Sequence, residues 1–310
     1  MRIAIIGRSQ LLFNTAELFR KEGYEIALVV TAKEAPEYSK TAADFEKFAK
    51  ETGAEFINTP KINLAEYKDR IKQLGEIELA VSINYTGIIS EEIIDLFPLG
   101  ILNAHAGDLP RYKGNAPLAW AIINREKQAG LCIHKMIGGE LDSGNILASE
   151  YHEININTRV GELFEWIEGR IPVLMLESVR KLTKDKNWKG KEQSKDAKDA
   201  MRCYPRLPED GRIDWNEKSK EILRLINASS EPFGGAFCMY ESNSLIIWRA
   251  ELYHDDENYF AMPGQVSKIE DDESLIVITG NGKLRIKEVT YNNVRTSPGT
   301  FIKSIRKRLN

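Results

Sequence analysis

The chain has 310 residues, 42% of them hydrophobic and 29% charged. That is more length than one hydrophobic core usually serves, so two domains of unequal size are expected. A formal net charge of −3 excludes a chain built as a polycation. Cys132, Cys203 and Cys238 lack metal-ligand or C-x-x-C spacing and read as reduced thiols.

The apolar run Met1–Gly7 is too short for a signal peptide or a membrane helix, and no later run is long enough to span a bilayer. A cytoplasmic protein with no membrane partner is expected. Arg2–Ile6 reads as a buried strand, followed by an amphipathic stretch over Leu11–Lys21. A strand over Glu25–Thr31, a helix over Asp44–Thr52 and strands over Glu55–Asn58 and Glu78–Ile83 follow. Ser90-Glu91-Glu92 resembles a helix start, with acids near the positive end. Gly100–His105 is a strand, Pro117–Arg125 a helix and Gly130–Met136 a strand again. A long helical pattern from Thr158 to about Lys184 closes the first domain, with Thr158 as a candidate cap.

This alternation predicts a Rossmann-like α/β domain with a mainly parallel sheet over residues 1–184. Residues 185–204 are lysine-rich, nearly balanced by acids and poor in core residues, and read as a linker. Beyond lie an amphipathic helix over Asp214–Ala228 and β-type runs at Ala236–Tyr240, Leu245–Leu252, Gln265–Ile269, Leu275–Thr279 and Lys283–Val289. They suggest a small β-rich domain over 205–310.

Gly7-Arg8-Ser9-Gln10 follows the first strand but lacks G-x-G-x-x-G spacing, so a dinucleotide site loses support. P-loop, H-E-x-x-H and G-x-S-x-G motifs are also absent. The loop either holds an anionic group through its N–H groups and Arg8, or is a plain strand-to-helix turn.

The chemistry concentrates in Gly100–Pro117. Asn103 and His105 stand two apart at a strand end, so their side chains share a face. A glycine-bracketed loop, Gly138-Gly139-Glu140-Leu141-Asp142-Ser143-Gly144, brings a carboxylate. Amide, imidazole and carboxylate in one cleft suit acyl transfer to an amine. Asn103 would donate to the developing oxyanion, His105 would donate to the same oxygen or move protons, and Asp142 would orient the imidazole and favour its protonated form. The motif holds no nucleophilic Ser or Cys, so direct attack through a tetrahedral intermediate is the simpler scheme.

The order Asn103-x-His105, Leu109-Pro110, Lys113-Gly114-x-Ala-Pro117 and Leu141-Asp142-Ser143-Gly144-x-Ile resembles the folate-dependent formyltransferases. Glu209-Asp210-Gly211-Arg-Ile-Asp214-Trp215 and Glu231-Pro232-Phe-Gly-Gly235-Ala-Phe237 extend the resemblance past the linker. It implies 10-formyltetrahydrofolate as donor, with no metal, and a C-terminal domain like an open OB barrel. The pterin would lie between the loops Tyr85–Ile89 and Gly139–Asp142 (Leu141 included), on main-chain groups of Ile88, Ile89, Glu140 and Asp142. One departure is Gly107-Asp108, where relatives usually have Ser-Leu.

Two acceptors compete. Residues 206–310 hold 15 Lys and Arg against 16 Asp and Glu, with acidic runs at 254–257 and 270–273. A polyanion needs clustered cations, so this balance favours a nucleotide-linked amino sugar, formylated for surface glycan assembly, over methionyl-tRNA. Gly7–Gln10, Tyr112 and Lys113 are candidates for holding the nucleotide sugar, with a solvated rim as the alternative for the last two. A formyltetrahydrofolate hydrolase, a catalytically silent module and a nucleic-acid-binding protein are disfavoured. The C-terminal domain is a candidate dimer surface.

Overall fold

The computed structural model describes residues 1–310. It divides into two compact units. The first comprises Met1–Pro117, Gly130–His152 and Glu165–Cys203; the second comprises Leu118–Ala129, Glu153–Phe164 and Tyr204–Asn310.

The first unit alternates β1 (Arg2–Gly7), α1 (Ser9–Lys21), β2 (Glu25–Thr31), α2 (Ala42–Thr52), β3 (Glu55–Asn58), α3 (Ala65–Gln73), β4 (Leu79–Ile83), α4 (Glu91–Ile94) and β5 (Ile101–His105). Along the chain there follow β6 (Lys113–Gly114), α5 (Pro117–Ile123), β7 (Gln128–Lys135), β8 (Ile146–Glu153), α6 (Val160–Lys184) and β9 (Arg202–Cys203), of which α5 after Pro117 and α6 up to Phe164 belong to the second unit. The sheet order is β3-β2-β1-β4-β5-β7-β8. From β3 to β5 neighbours run parallel, and β7 runs antiparallel to β5. Ile3, Ile5, Ile6, Leu28, Val29 and Val81 are fully buried, as expected of strands covered on both faces.

The chain order reverses between β1 and β4, so the crevice beyond their carboxyl ends is the usual ligand position in such a sheet. At that edge Gly7 has φ of 137°, and a Cβ there would lie 1.9 Å from the Ile83 carbonyl oxygen, so no other residue lets β1 and β4 meet there. α2 starts with a capping box: Asp44 N–H donates to Thr41 Oγ1, and Thr41 N–H donates to the Asp44 carboxylate at 2.8 Å.

The second unit holds α7 (Ser219–Ser229) and β10 (Ala236–Tyr240), β11 (Asn243–Tyr253), β12 (Val266–Ile269), β13 (Leu275–Ile278), β14 (Lys283–Tyr291) and β15 (Val294–Thr296), with α7 packed on β10, β11 and β14. The strands run antiparallel in the order β10-β11-β14-β13-β12, with β15 on β14. Trp215, Leu223, Ile226, Leu245, Val277 and Leu284 anchor the core.

Expectations and structure differ in places. α3 and β8 are additional: α3 buries only Ile71 fully, leaving a weak apolar stripe, and β8 is an edge strand. α7 begins at Ser219 rather than Asp214, because Asp214 accepts from Asn216 N at 2.9 Å and forms a turn. Thr158 does not cap α6 as expected; its hydroxyl accepts from Asn155 N instead. The segment 185–204 is not a detached linker. Ile146 and Lys191 bridge, Gln193 is buried and β9 pairs with β6. Composition reports side chains, whereas this segment is held largely through its main chain.

Candidate active site

β5 presents Asn103 and His105, and the antiparallel register sets Asn103 opposite His134 on β7. Asn103 Nδ2 lies 3.1 Å from His134 Nε2, and His134 Nδ1 lies 2.8 Å from the Lys135 carbonyl oxygen. A carbonyl only accepts, so His134 carries its proton on Nδ1 and accepts on Nε2. Only the amide nitrogen of Asn103 satisfies that acceptor, which fixes the amide orientation and leaves its second N–H for a ligand.

The same logic fixes His105. Its Nε2 lies 2.7 Å from the Tyr112 carbonyl oxygen and therefore donates, leaving Nδ1 as the basic nitrogen. Asp142 Oδ2 lies 3.5 Å from that Nδ1, and Asp142 Oδ1 lies 3.4 Å from His134 Nε2. Burial depresses the His105 pKa more than the Asp142 charge raises it. Asp142 thus favours the protonated ring, as expected, but burial outweighs it and His105 is neutral near pH 7. Burial opposes ionisation of Asp142, but attraction to the His105 imidazole once that ring takes up a proton, together with the Gly114 N–H at 2.9 Å, holds its pKa well below the usual carboxylate range.

The loops are built around these contacts. A Cβ on Gly107 would lie 2.5 Å from His105 Nε2, and one on Gly144 would lie 1.8 Å from the Lys135 carbonyl oxygen. Asp142 itself has φ of 49°, a strained region for a non-glycine residue.

The expected donor loops lie side by side. Gly139 N–H donates to the Ile89 carbonyl at 3.2 Å, and Asn63 Nδ2 donates to the Ile88 carbonyl at 2.8 Å. Glu140 N–H is used within its turn, on Ile137 O, and the Glu140 side chain accepts from Ser143 Oγ. Tyr85 OH donates to the Thr59 carbonyl and accepts from Ile62 N–H, and burial pushes its pKa up to about 12. Leu141 stands near Gly114, whose added Cβ would meet Leu141 Cδ2 at 3.6 Å.

The expected acceptor residues are mostly occupied structurally. Arg8 donates to the Asn84 and Lys33 carbonyls and stacks on Tyr38, so it braces loops instead of facing out. Ser9 is buried against Asn84 Nδ2, and Gln10 Oε1 is buried without a partner. Tyr112 is 2% exposed and serves through its carbonyl, so it is no rim platform for a base. Lys113 is half-buried, with its N–H on the Met201 carbonyl. Asp108 is tied to Tyr151 OH at 3.0 Å. Sequence reasoning missed His134 and Gln193. His134 is a lone histidine in an apolar strand, and only the pairing register gives it meaning.

Fold and site define a group-transfer enzyme with its chemistry at the carboxyl edge of a doubly wound sheet. Residues 1–179 match the formyl transferase family and residues 207–306 match the formyl transferase C-terminal domain. The chain belongs to the formyl transferase family. The methionyl-tRNA formyltransferase of Acetivibrio thermocellus is 29% identical, covering 95% of this chain and 93% of its own. That of Caldanaerobacter subterraneus is 30% identical, covering 95% and 94%. An N-formyltransferase from Helicobacter canadensis superposes with a TM-score of 0.68 at 18% identity, covering 92% and 98%. HypX from Aquifex aeolicus superposes at 0.61 and 18% identity, and this chain spans 48% of it.

These relatives overturn the expected nucleotide-linked amino-sugar acceptor, because the proteins matched in sequence over nearly the whole chain are methionyl-tRNA formyltransferases. The charge count misled because a total does not record where the cations lie. Asp255 and Glu257 enclose Lys283 Nζ at 2.7 and 2.6 Å, and Asp272 takes Arg285 at 2.8 Å. Residues 184–202 hold seven Lys and Arg against four Asp and Glu, which is less balanced than expected. Two of those acids, Glu192 and Asp196, are paired within the segment. No helix is long and apolar enough to cross a membrane, and no group of three or more His, Cys, Asp or Glu is placed to hold a metal ion.

Proposed function

We propose that this enzyme transfers the formyl group of 10-formyltetrahydrofolate to the amine of methionyl-tRNA. The observation that carries the chemistry is the convergence of Asn103, His105, His134 and Asp142 within 3.5 Å contacts at the sheet edge. The acceptor rests on the full-length relatives.

The donor loops suit a flat heteroaromatic ring. Ile88 and Ile137, 57% and 39% exposed, flank the Ile89–Gly139 bond, and a pterin laid there removes their apolar surface from water. Main-chain groups around Ile88, Ile89, Glu140 and Asp142 would supply its polar edge. As the amine attacks the formyl carbonyl, the second Asn103 N–H donates to the carbonyl oxygen where negative charge develops. His105 Nδ1 takes the proton leaving the amine, the imidazolium so formed lies beside the Asp142 carboxylate, and it gives that proton to N10 of tetrahydrofolate as the bond from N10 to the formyl carbon breaks. Burial keeps His105 neutral until then. Exposed Lys186, Lys189 and Lys191 are cations for a phosphate backbone.

The test is to incubate the chain with 10-formyltetrahydrofolate and methionyl-tRNA and follow formylmethionyl-tRNA. Wild type forms it, whereas Asp142→Ala or His105→Ala binds the donor without transfer. Donor turnover that leaves methionyl-tRNA unmodified refutes the acceptor, and normal rates in either variant refute the mechanism.

A further inference from the structure

Two hydrogen bonds that hold Asp142 trace back to residues 190–203. Gln193 is 7% exposed, and its Nε2 donates to two main-chain carbonyls, Asp142 at 2.9 Å and Gly144 at 2.7 Å. Those carbonyls belong to the turn in which Asp142 takes its positive φ of 49°. Such a conformation is disfavoured in a non-glycine residue and persists only when the surroundings impose it.

The second tie runs through β9. Lys113 N–H donates to Met201 O at 2.9 Å, and Asn115 N–H donates to Cys203 O at 3.1 Å. In a strand alternate N–H groups point to opposite sides, so Gly114 N–H points away from β9. It reaches Asp142 Oδ2 at 2.9 Å. A Cβ on Gly114 would lie 2.5 Å from the Cys203 carbonyl oxygen, so the close approach requires glycine.

We infer that residues 190–203 are a strap that positions the Asp142 carboxylate, with Gln193 as its positioning residue. The strap makes a segment of linker-like composition part of the catalytic machinery. The role rests on Asp142 serving the transfer reaction described above.

Gln193→Met keeps the length of the side chain and removes both donated bonds. The turn then relaxes and Asp142 withdraws from His105. A displacement of about 1 Å at such a site costs about a hundredfold in kcat. The KM for the acceptor stays within about twofold, whereas the KM for the donor rises, because the relaxed turn carries the Asp142 main chain that edges the pterin. The chain has four histidines, so the His105 titration can be assigned by NMR on the full-length protein. It moves to lower pH in Gln193→Met, since the carboxylate that opposed the effect of burial has moved away. Gln193→Asn, which keeps the amide but is one methylene too short, is the second variant and shows the same pattern should the first not fold.

Wild-type kcat in a folded variant, or lost kcat with an unmoved His105 titration, overturns the inference. Asp142→Ala is measured alongside. Activity in Asp142→Ala removes the catalytic reading itself, whereas an inactive Asp142→Ala beside a fully active Gln193→Met removes only the strap.

Discussion

Gly107→Ala adds one methyl group and tests how tightly His105 is held. The new Cβ would lie 2.5 Å from His105 Nε2, 2.9 Å from His105 Cδ2 and 2.6 Å from the Tyr112 carbonyl oxygen. It wedges between the two atoms of the 2.7 Å bond that fixes the imidazole tautomer. Ordinary contact needs 3.4 Å or more, so the ring or the 107–112 loop must give by about 1 Å. Displacement on that scale predicts a loss of about a hundredfold in kcat, equivalent to about 2.7 kcal/mol of activation free energy. Tyr112 is buried, so its abandoned carbonyl costs about 1–3 kcal/mol of stability, which lowers Tm by several degrees. Steady-state formylation, thermal melting and the His105 NMR titration measure the three effects. A kcat within twofold of wild type, with an unchanged titration, would refute the claim that this bond sets the catalytic geometry.

Other outcomes follow from the same contacts. Asn103→Ala lowers kcat about a hundred- to a thousandfold, and His134→Phe, which removes the acceptor that orients the amide, lowers it by less. Equal losses, or none in His134→Phe, would refute that ranking. His105 titrates below the ordinary imidazole value of about 6.5, so kcat/KM stays level from pH 7 down to that value and falls at more acid pH. The stability sign is the same: this contribution is present above about pH 6.5 and is lost as pH falls towards the folded value, because the unfolded chain then binds a proton that the native chain does not. An acid limb centred above pH 6.5 would count against a buried neutral base. Cys132, Cys203 and Cys238 are buried, and burial raises their pKa values, to about 11 for Cys203 and about 12 for Cys238. A thiol reagent at pH 8 is therefore expected to label the native protein slowly and the denatured protein fast, with activity retained in the native sample. Fast labelling of the native chain would refute this burial.

The alternating apolar runs were enough to place five parallel-type strands in the first half, because strands buried on both faces read as continuous Ile, Val and Leu. Asn103, His105 and Asp142 were legible for another reason: they sit at strand ends and in glycine-bracketed loops, where local spacing already implies a shared cleft. Tyr112 shows the limit. An aromatic beside Lys113 suggested a rim, yet its ring is buried and its carbonyl does the work. A main-chain role leaves no trace in side-chain identity. The acceptor was misjudged for a related reason, since a net charge does not record where the exposed lysines of residues 184–202 lie.

By itself the sequence determined the α/β-then-β order of the domains and the family, and it picked out the amide, imidazole and carboxylate that the fold brings together. All of these are written in local periodicity and in short motifs. Tertiary structure alone decided that His134 stands opposite Asn103 and that Gln193 and Gly114 hold Asp142, contacts 31, 51 and 28 residues apart in the chain. It also decided that His105 is neutral. Register, strand direction and desolvation arise only once distant segments are packed together, and no window of sequence contains them.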